Sequence, residues 1–415
     1  MMALIKSPKI AFVSLMTIGL SLVACKNGFN NSTNKKSAEK IVPENLKWSE
    51  RMVLSEMHRF PEATKLDFAS VPRWGYTNGL VLGACAQVYE KTKNQKVYDY
   101  IYAYADAMID KSGDIKTYNL EDHNLDMIKS GDVLLYLYPK TKEERFFKAM
   151  TTLNKQMESQ PKTSDGGYWH KKIYPFQMWL DGLYMAEPFH ARYAKEYEKD
   201  AAKAIKIYDD VVHQFDLIQK HSRDPKTGLL YHGWDESKEQ RWANKETGTS
   251  QHFWSRGMGW YGMALVEVLD FLPKNHQGRE RLIKYLNQYV EAVVKVQDSS
   301  GLWWQVLDQG SREGNYLEAT GSAMFTYTIA KGAHKGYISN KYLKNANKGF
   351  DGLINNLVSV EENGVVNLNK CCAVAGLGGN PYRDGSYEYY IGEKIRSNDP
   401  KGTGAFILAS LELNK

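Results

Sequence analysis

The chain has 415 residues, of which 43% are hydrophobic, 12% aromatic and 25% charged. That is globular composition with ample apolar material for a large core, which excludes a disordered, collagen-like or small disulfide-stapled protein. A net charge of +6 spread along the chain admits acidic substrates but is no nucleic-acid signature, and four cysteines are too few for a disulfide framework.

The first element in chain order is a processing segment. Lys6 and Lys9 form a short basic start, and Ile10 to Val23 is an apolar run too short to span a bilayer as a helix. Leu22-Val23-Ala24-Cys25 then places a small residue before a cysteine, which resembles a bacterial lipobox. Residues 1–25 are therefore expected to be a lipoprotein signal with lipidation at Cys25; the alternative is an ordinary signal peptide with an incidental cysteine. Residues 26–47, rich in Asn, Ser, Lys and Gly at their start, are expected to be a flexible tether. The product is expected to be exported and lipid-anchored in a bacterial periplasm or on the cell surface. Cys85, Cys371 and Cys372 are expected to be small core residues.

From residue 48 the chain alternates apolar periods of 3.6 with short glycine-containing turns. Gly79–Lys91, Gln95–Lys111, His123–Tyr138, Lys142–Glu158, Gln177–Ala194 and Lys199–Lys220 read as helices. So do Trp254–Leu272, Arg279–Gln297, Glu318–Ala333, Tyr342–Val358 and Gly402–Leu413. No alternating run is long enough for a sheet core, so the fold class is all-α. A polar residue, a glycine and an apolar or aromatic pair recur at Gly113, Gly166, Gly228, Gly301 and Gly364, with two helices in each interval. Repeats of one unit that cannot bury its own face stack or close on themselves. At roughly sixty residues per hairpin the chain holds about six, which fits one closed (α/α)6 barrel over 48–415; an open solenoid is the alternative. Closure would gather alternate loops around one pocket.

Those loops carry much of the aromatic content of ten Trp and 27 Tyr, a pattern suited as a group to stacking on sugar rings, although any single Trp taken alone reads as core. Pro175 marks a helix start, which places Asp181 in the first two turns beside Met178, Tyr184 and Met185. There it is either a desolvated general acid with a raised pKa or a carboxylate stabilised by helix amides with a lowered one. Asp126 offers a second acid at a helix start, with an N-cap role as the alternative. Arg256 and Trp260, four apart, share a helix face; the arginine suits a substrate carboxylate or, alternatively, loop carbonyls. His232 can donate to a hydroxyl. No phosphate loop, dinucleotide fingerprint, zinc cluster or calcium loop is present, so neither cofactor nor metal is expected.

Several segments together resemble glycoside hydrolase family 105, the unsaturated rhamnogalacturonyl hydrolases, and more distantly family 88, the unsaturated glucuronyl hydrolases. They are Arg73 to Gly79, His123-Asn-Leu-Asp126, Tyr168 to Met185, Gly228 to His232, Phe253 to Trp260, and the tail Gly376 to Tyr390. The resemblance implies an (α/α)6 barrel and an unsaturated uronate-terminated oligosaccharide as substrate. It implies that Asp181 protonates C4 of the C4–C5 double bond while water adds at C5, with Asp126 as second carboxylate. Pocket roles then fall to His170, Lys171, Trp179, His232, Trp254, Arg256 and Trp260, and to either Tyr76 or Trp74. Rhamnogalacturonan fragments are the leading substrate; ulvan-type glucuronyl fragments, or sugar binding without catalysis, are the alternatives.

Overall fold

The computed structural model describes residues 40–415. Residues 1–39, among them Cys25 with its expected lipidation, lie outside the described residues. Lys40–Lys47, assigned to the tether from the sequence, belong to the folded unit: Val42 is buried and its N–H donates to the Asn363 carbonyl at 3.2 Å.

Among the described residues, twelve principal helices form the body. Six make an inner ring: α2 (Tyr76–Thr92), α4 (Gly131–Thr141), α6 (Leu180–Glu196), α8 (Ser255–Phe271), α10 (Ala319–His334) and α13 (Pro400–Leu413). Outside them lie α1 (Trp48–Arg59), α3 (Gln95–Met108), α5 (Glu144–Ser159), α7 (Ala201–Ser222), α9 (Arg279–Lys295) and α11 (Leu343–Asn356). Each inner helix packs on its neighbours, and α13 closes the ring against α2. The sequence shows why the two rings differ. Inner helices have neighbours on every side and are apolar nearly all round, as in α8, where only Glu267, Asp270 and Phe271 escape burial. Outer helices are striped: α9 buries Leu282, Leu286, Tyr289, Val290 and Val293 and exposes Arg281, Lys284 and Glu291.

Close approach of inner helices requires missing side chains. A Cβ on Gly404 would lie 2.8 Å from Leu80 Cγ, and one on Gly321 the same distance from Ser255 Cβ. The recurring turn glycines have one geometry, with φ of 96°, 97°, 79°, 92° and 87° at Gly113, Gly166, Gly228, Gly301 and Gly364. Each therefore sits where L side chains are strained, at the turn leading from an outer helix toward the next inner one.

The structure departs from the helical expectation in three places. His123–Tyr138 is not one helix: 3-10 turns at Leu120–Asp122 and Leu125–Met127 precede α4. Asn119 and Asn124 accept from the backbone N–H two residues on, and His123 takes a left-handed conformation, so local side-chain bonds outcompete the helix. Gln177–Trp179 is strand β1, paired antiparallel with β2 (Gly233–Asp235), so α6 begins at Leu180 and Pro175 lies in the preceding turn. Finally, β3 (Val358–Val360) pairs with β4 (Val366–Leu368), β5 (Cys371–Cys372) pairs with β6 (Ile395–Arg396), and a short helix α12 (Tyr387–Gly392) lies between β5 and β6. Cys85, Cys371 and Cys372 are free and buried, as expected of core residues.

Candidate active site

The loops entering the inner helices and the first turns of those helices hold the carboxylates and pocket residues singled out from the sequence among the described residues. Three short backbone connections do the positioning. An isolated bridge between Asn124 and Lys171 lays the Asp126 turn beside the His170–Lys171 segment, helped by Leu125 N–H donating to the His170 carbonyl at 3.1 Å. The β1–β2 pair joins the Trp179 segment to the His232 segment, and Leu180 N–H donates to the His232 carbonyl at 3.0 Å. Asp181, the second residue of α6, is thus delivered against His232.

Two carboxylate assemblies result. Asp181 Oδ2 accepts from His232 Nε2 at 3.1 Å, and His232 Nδ1 lies 2.8 Å from the Tyr390 hydroxyl. An ionised carboxylate only accepts, so Nε2 donates to it; in the tautomer with its proton on Nε2, Nδ1 accepts and Tyr390 is the donor. Burial alone would push the Asp181 carboxyl up, but His232, with His170 behind it, holds it below the ordinary carboxylate value. The lowered alternative therefore holds, with histidines rather than helix amides as its cause. Asp181 Oδ1 has no hydrogen-bond partner among the described residues, which leaves it free for substrate.

Asp126 is held separately. Its Oδ2 lies 2.6 Å from Lys171 Nζ and its Oδ1 3.4 Å from His170 Nε2. Burial opposes ionisation, and the Lys171 and His170 neighbours overcome it, so this carboxyl too lies low. Asn124, not Asp126, supplies the cap of the local turn. Burial pushes His170 down to about 4, and its Nδ1 has no partner. His170 influences both carboxylates and links the two assemblies.

Aromatic rings form the walls. Trp179 stacks between His170, at 4.7 Å between centroids, and Tyr174, at 5.1 Å. Trp254 backs His232 at 4.6 Å and stacks on Tyr390 at 6.1 Å. Trp260 meets Tyr76 edge-on at 6.1 Å and stacks on Tyr184 at 4.8 Å. Arg256 is 1% exposed; its guanidinium lies over the Trp254 ring and donates to the carbonyls of Cys372 and Ala373. This is the loop-carbonyl alternative, with both terminal nitrogens engaged by protein. Glu318, fully buried, accepts from Cys372 N–H at 2.8 Å and Gly321 N–H at 2.6 Å, holding β5 in place beside that guanidinium.

Sequence reasoning assigned no role to Tyr390, Tyr174, Arg383 or Arg73. Arg383 donates to the Tyr174 hydroxyl at 3.0 Å and to the Gly378 and Leu377 carbonyls. Arg73 is exposed, makes no side-chain hydrogen bond or ion pair among the described residues, and is one of the charges that hold Asp126 low. All but Tyr174 and Arg73 fall in the Gly376–Tyr390 tail, whose tyrosine and arginine content was the available signal. No three His, Cys, Asp or Glu side chains among the described residues converge as metal ligands.

The chain is similar to known proteins over most of its length. The model of Glycosyl Hydrolase Family 88 matches residues 48–415. A solved glycoside hydrolase from family 105 of C. acetobutylicum is 46% identical, with a TM-score of 0.84 over 89% of this chain and 99% of that one. The unsaturated rhamnogalacturonyl hydrolase YesR of Bacillus subtilis is 24% identical over 77% of this chain and 85% of its own length. The unsaturated glucuronyl hydrolase of Bacillus sp. GL1 shares the fold at 12% identity, with a TM-score of 0.64 over 88% of this chain and 95% of that one. The chain, an (α/α)6 barrel with two paired carboxylates in its loop-lined mouth, belongs to glycosyl hydrolase family 88 and its family 105 relatives.

Proposed function

We propose that the protein removes a terminal 4,5-unsaturated uronic acid from oligosaccharides released by polysaccharide lyases, with rhamnogalacturonan fragments as the leading substrate. The observation that carries this reading is the pair of buried carboxylates with unlike partners: Asp181 on His232 and Tyr390, Asp126 on Lys171 and His170.

Bringing a uronate beside Asp181 adds a like charge and removes water, and both raise the Asp181 pKa, so the carboxyl takes up a proton on binding. The protonated carboxyl gives that proton to C4. The alkene electron pair forms the new C–H bond, leaving an oxocarbenium centre at C5. Asp126, kept ionised by Lys171, stabilises the positive charge. Water bonds to C5 and returns a proton to Asp181, so the net change is addition of one water. The resulting hemiketal at C5 opens, and the remaining sugar chain leaves as an alcohol. With its pKa pushed down to about 4 by burial, His170 is neutral at neutral pH and stacks and orients without adding charge.

The test is loss of the alkene's ultraviolet absorbance in lyase-digested rhamnogalacturonan, with lyase-digested ulvan in parallel. Asp181→Asn is expected to abolish the loss while retaining binding; normal turnover in that variant would overturn the assignment. Loss confined to the ulvan digest would move the substrate to glucuronyl fragments. The lipobox-like Leu22-Val23-Ala24-Cys25 further supports export and lipid anchoring in a periplasm or on a cell surface. Fatty-acid labelling that disappears in Cys25→Ser is the expected result, and unchanged labelling would remove this part of the reading.

A further inference from the structure

A cavity of about 420 Å³ opens at the end of the barrel opposite the carboxylates, lined by all six inner helices. Its wall carries buried charge. Lys129, 3% exposed, lies 2.8 Å from Asp132 and 3.1 Å from Glu267, with its ammonium 3.8 Å over the Tyr184 ring. Lys331, 6% exposed, lies 2.7 Å from Asp270 and 3.0 Å from the Tyr327 hydroxyl. The rest of the wall is apolar at Leu80, Pro188, Phe271 and Leu408 and polar toward solvent, where Gln87, Glu90, Lys91 and Arg192 rim the opening. On α2, Gly83 borders the cavity, and a Cβ there would meet nothing within 4 Å. Glycine inside a helix costs about 1 kcal/mol relative to alanine, so α2 forgoes helix stability where a side chain would enter the cavity.

The chemistry of the wall selects an occupant. Its buried ions are already paired, so a charged ligand would have to break a pair, and a pure hydrocarbon would strand the ions without solvent. A sugar hydroxyl both donates and accepts, so it can bridge an ammonium and its carboxylate while both remain paired. The C–H face of the ring would lie on the apolar residues. The volume lies within the range of small-molecule pockets. We propose that this cavity is a second binding site for a neutral saccharide of one or two rings. Aromatic rings link it to the carboxylate end of the barrel: Tyr184 donates to Glu267 at 3.3 Å on the cavity side and stacks on buried Trp260, which meets Tyr76 edge-on at the start of α2. The inference stands on the cavity alone and does not depend on the proposed reaction.

The experiment titrates the protein with D-galactose, D-glucose, L-rhamnose and D-xylose, reading tryptophan fluorescence and saturation-transfer NMR. The expected result is saturable binding of at least one sugar with a change in fluorescence. Gly83→Leu, which places a side chain in the open space, is expected to weaken that binding at least about tenfold and leave kcat/KM on the unsaturated substrate unchanged. Absence of saturable binding by all four sugars would show that the cavity holds only water and overturn the proposal. So would binding that persists undiminished in Gly83→Leu, which would place the sugar elsewhere. A crystal of the wild-type protein soaked in the tightest sugar gives a reading independent of the variant's folding. Density against Tyr184 supports the site, and density elsewhere or none overturns it.

Discussion

Replacing Tyr390 by phenylalanine removes one oxygen atom and tests the whole Asp181 assembly. Burial keeps the Tyr390 hydroxyl protonated well above its ordinary range, so at neutral pH it is a donor to His232 Nδ1, 2.8 Å away. His232 is fully buried, and no water replaces the lost donor at no cost. A buried acceptor left without a partner costs about 1–3 kcal/mol. It also frees the imidazole to exchange the tautomer that points Nε2–H at Asp181. If that cost falls on the arrangement needed at the transition state, kcat/KM drops roughly 5- to 150-fold. Tyr390 touches His232 rather than the free Asp181 oxygen, so the loss belongs in kcat with KM little changed. The assay is the initial rate of absorbance loss on lyase-digested polysaccharide across substrate concentration, with thermal unfolding measured beside it. A Tyr390→Phe variant that is less stable yet turns over normally would refute the argument and leave Tyr390 as packing against Trp254 alone.

Three other outcomes follow from the same geometry. Lys171→Met removes the cation that holds Asp126 low, so the acid limb of the kcat/KM–pH profile should move to higher pH; a profile with its acid limb unmoved would show that Asp126 does not govern it. Arg73, exposed and without a side-chain partner among the described residues, is the cation at the mouth not yet committed to protein, so Arg73→Met should raise KM for the uronate about tenfold with kcat little changed. An unaltered KM in that variant would remove Arg73 from substrate recognition. His190, buried in α6, is pushed down by burial to about 4. Above about pH 6.5 it is neutral folded or unfolded; as pH falls from there to about 4 the unfolded chain takes the proton first, and up to about 3 kcal/mol of stability is lost. Urea unfolding of His190→Gln should therefore decline less between those pH values than the wild type, and equal declines would contradict the burial argument.

The helical repeat was legible because both of its signals are local. A 3.6-residue apolar period sets helices, and a glycine at positive φ ends each outer-to-inner turn, as at Gly166 and Gly301. Asp181 was also legible, as an acid set in an apolar helix start. The His123–Ser130 segment misled because its apolar spacing matches a helix while its asparagines cap shorter turns, a competition that periodicity does not register. β1 escaped because three residues carry no pattern until β2 pairs with them from beyond α7.

What the sequence by itself determined about this protein is the repeat of helical hairpins, which admits an open solenoid beside a closed ring, and the chemical kinds of residue in its loops. The partners were decided only by tertiary structure. Asp181 meets His232 across 51 residues, His232 meets Tyr390 across 158, and Arg256 reaches the Cys372 carbonyl across 116. Arg256 is the plainest case: chemistry offered it a substrate carboxylate or loop carbonyls, and ring closure brought the Cys372 and Ala373 carbonyls to it. Loops from successive hairpins meet only when six inner helices close into a ring, and no local period encodes which loop tip faces which.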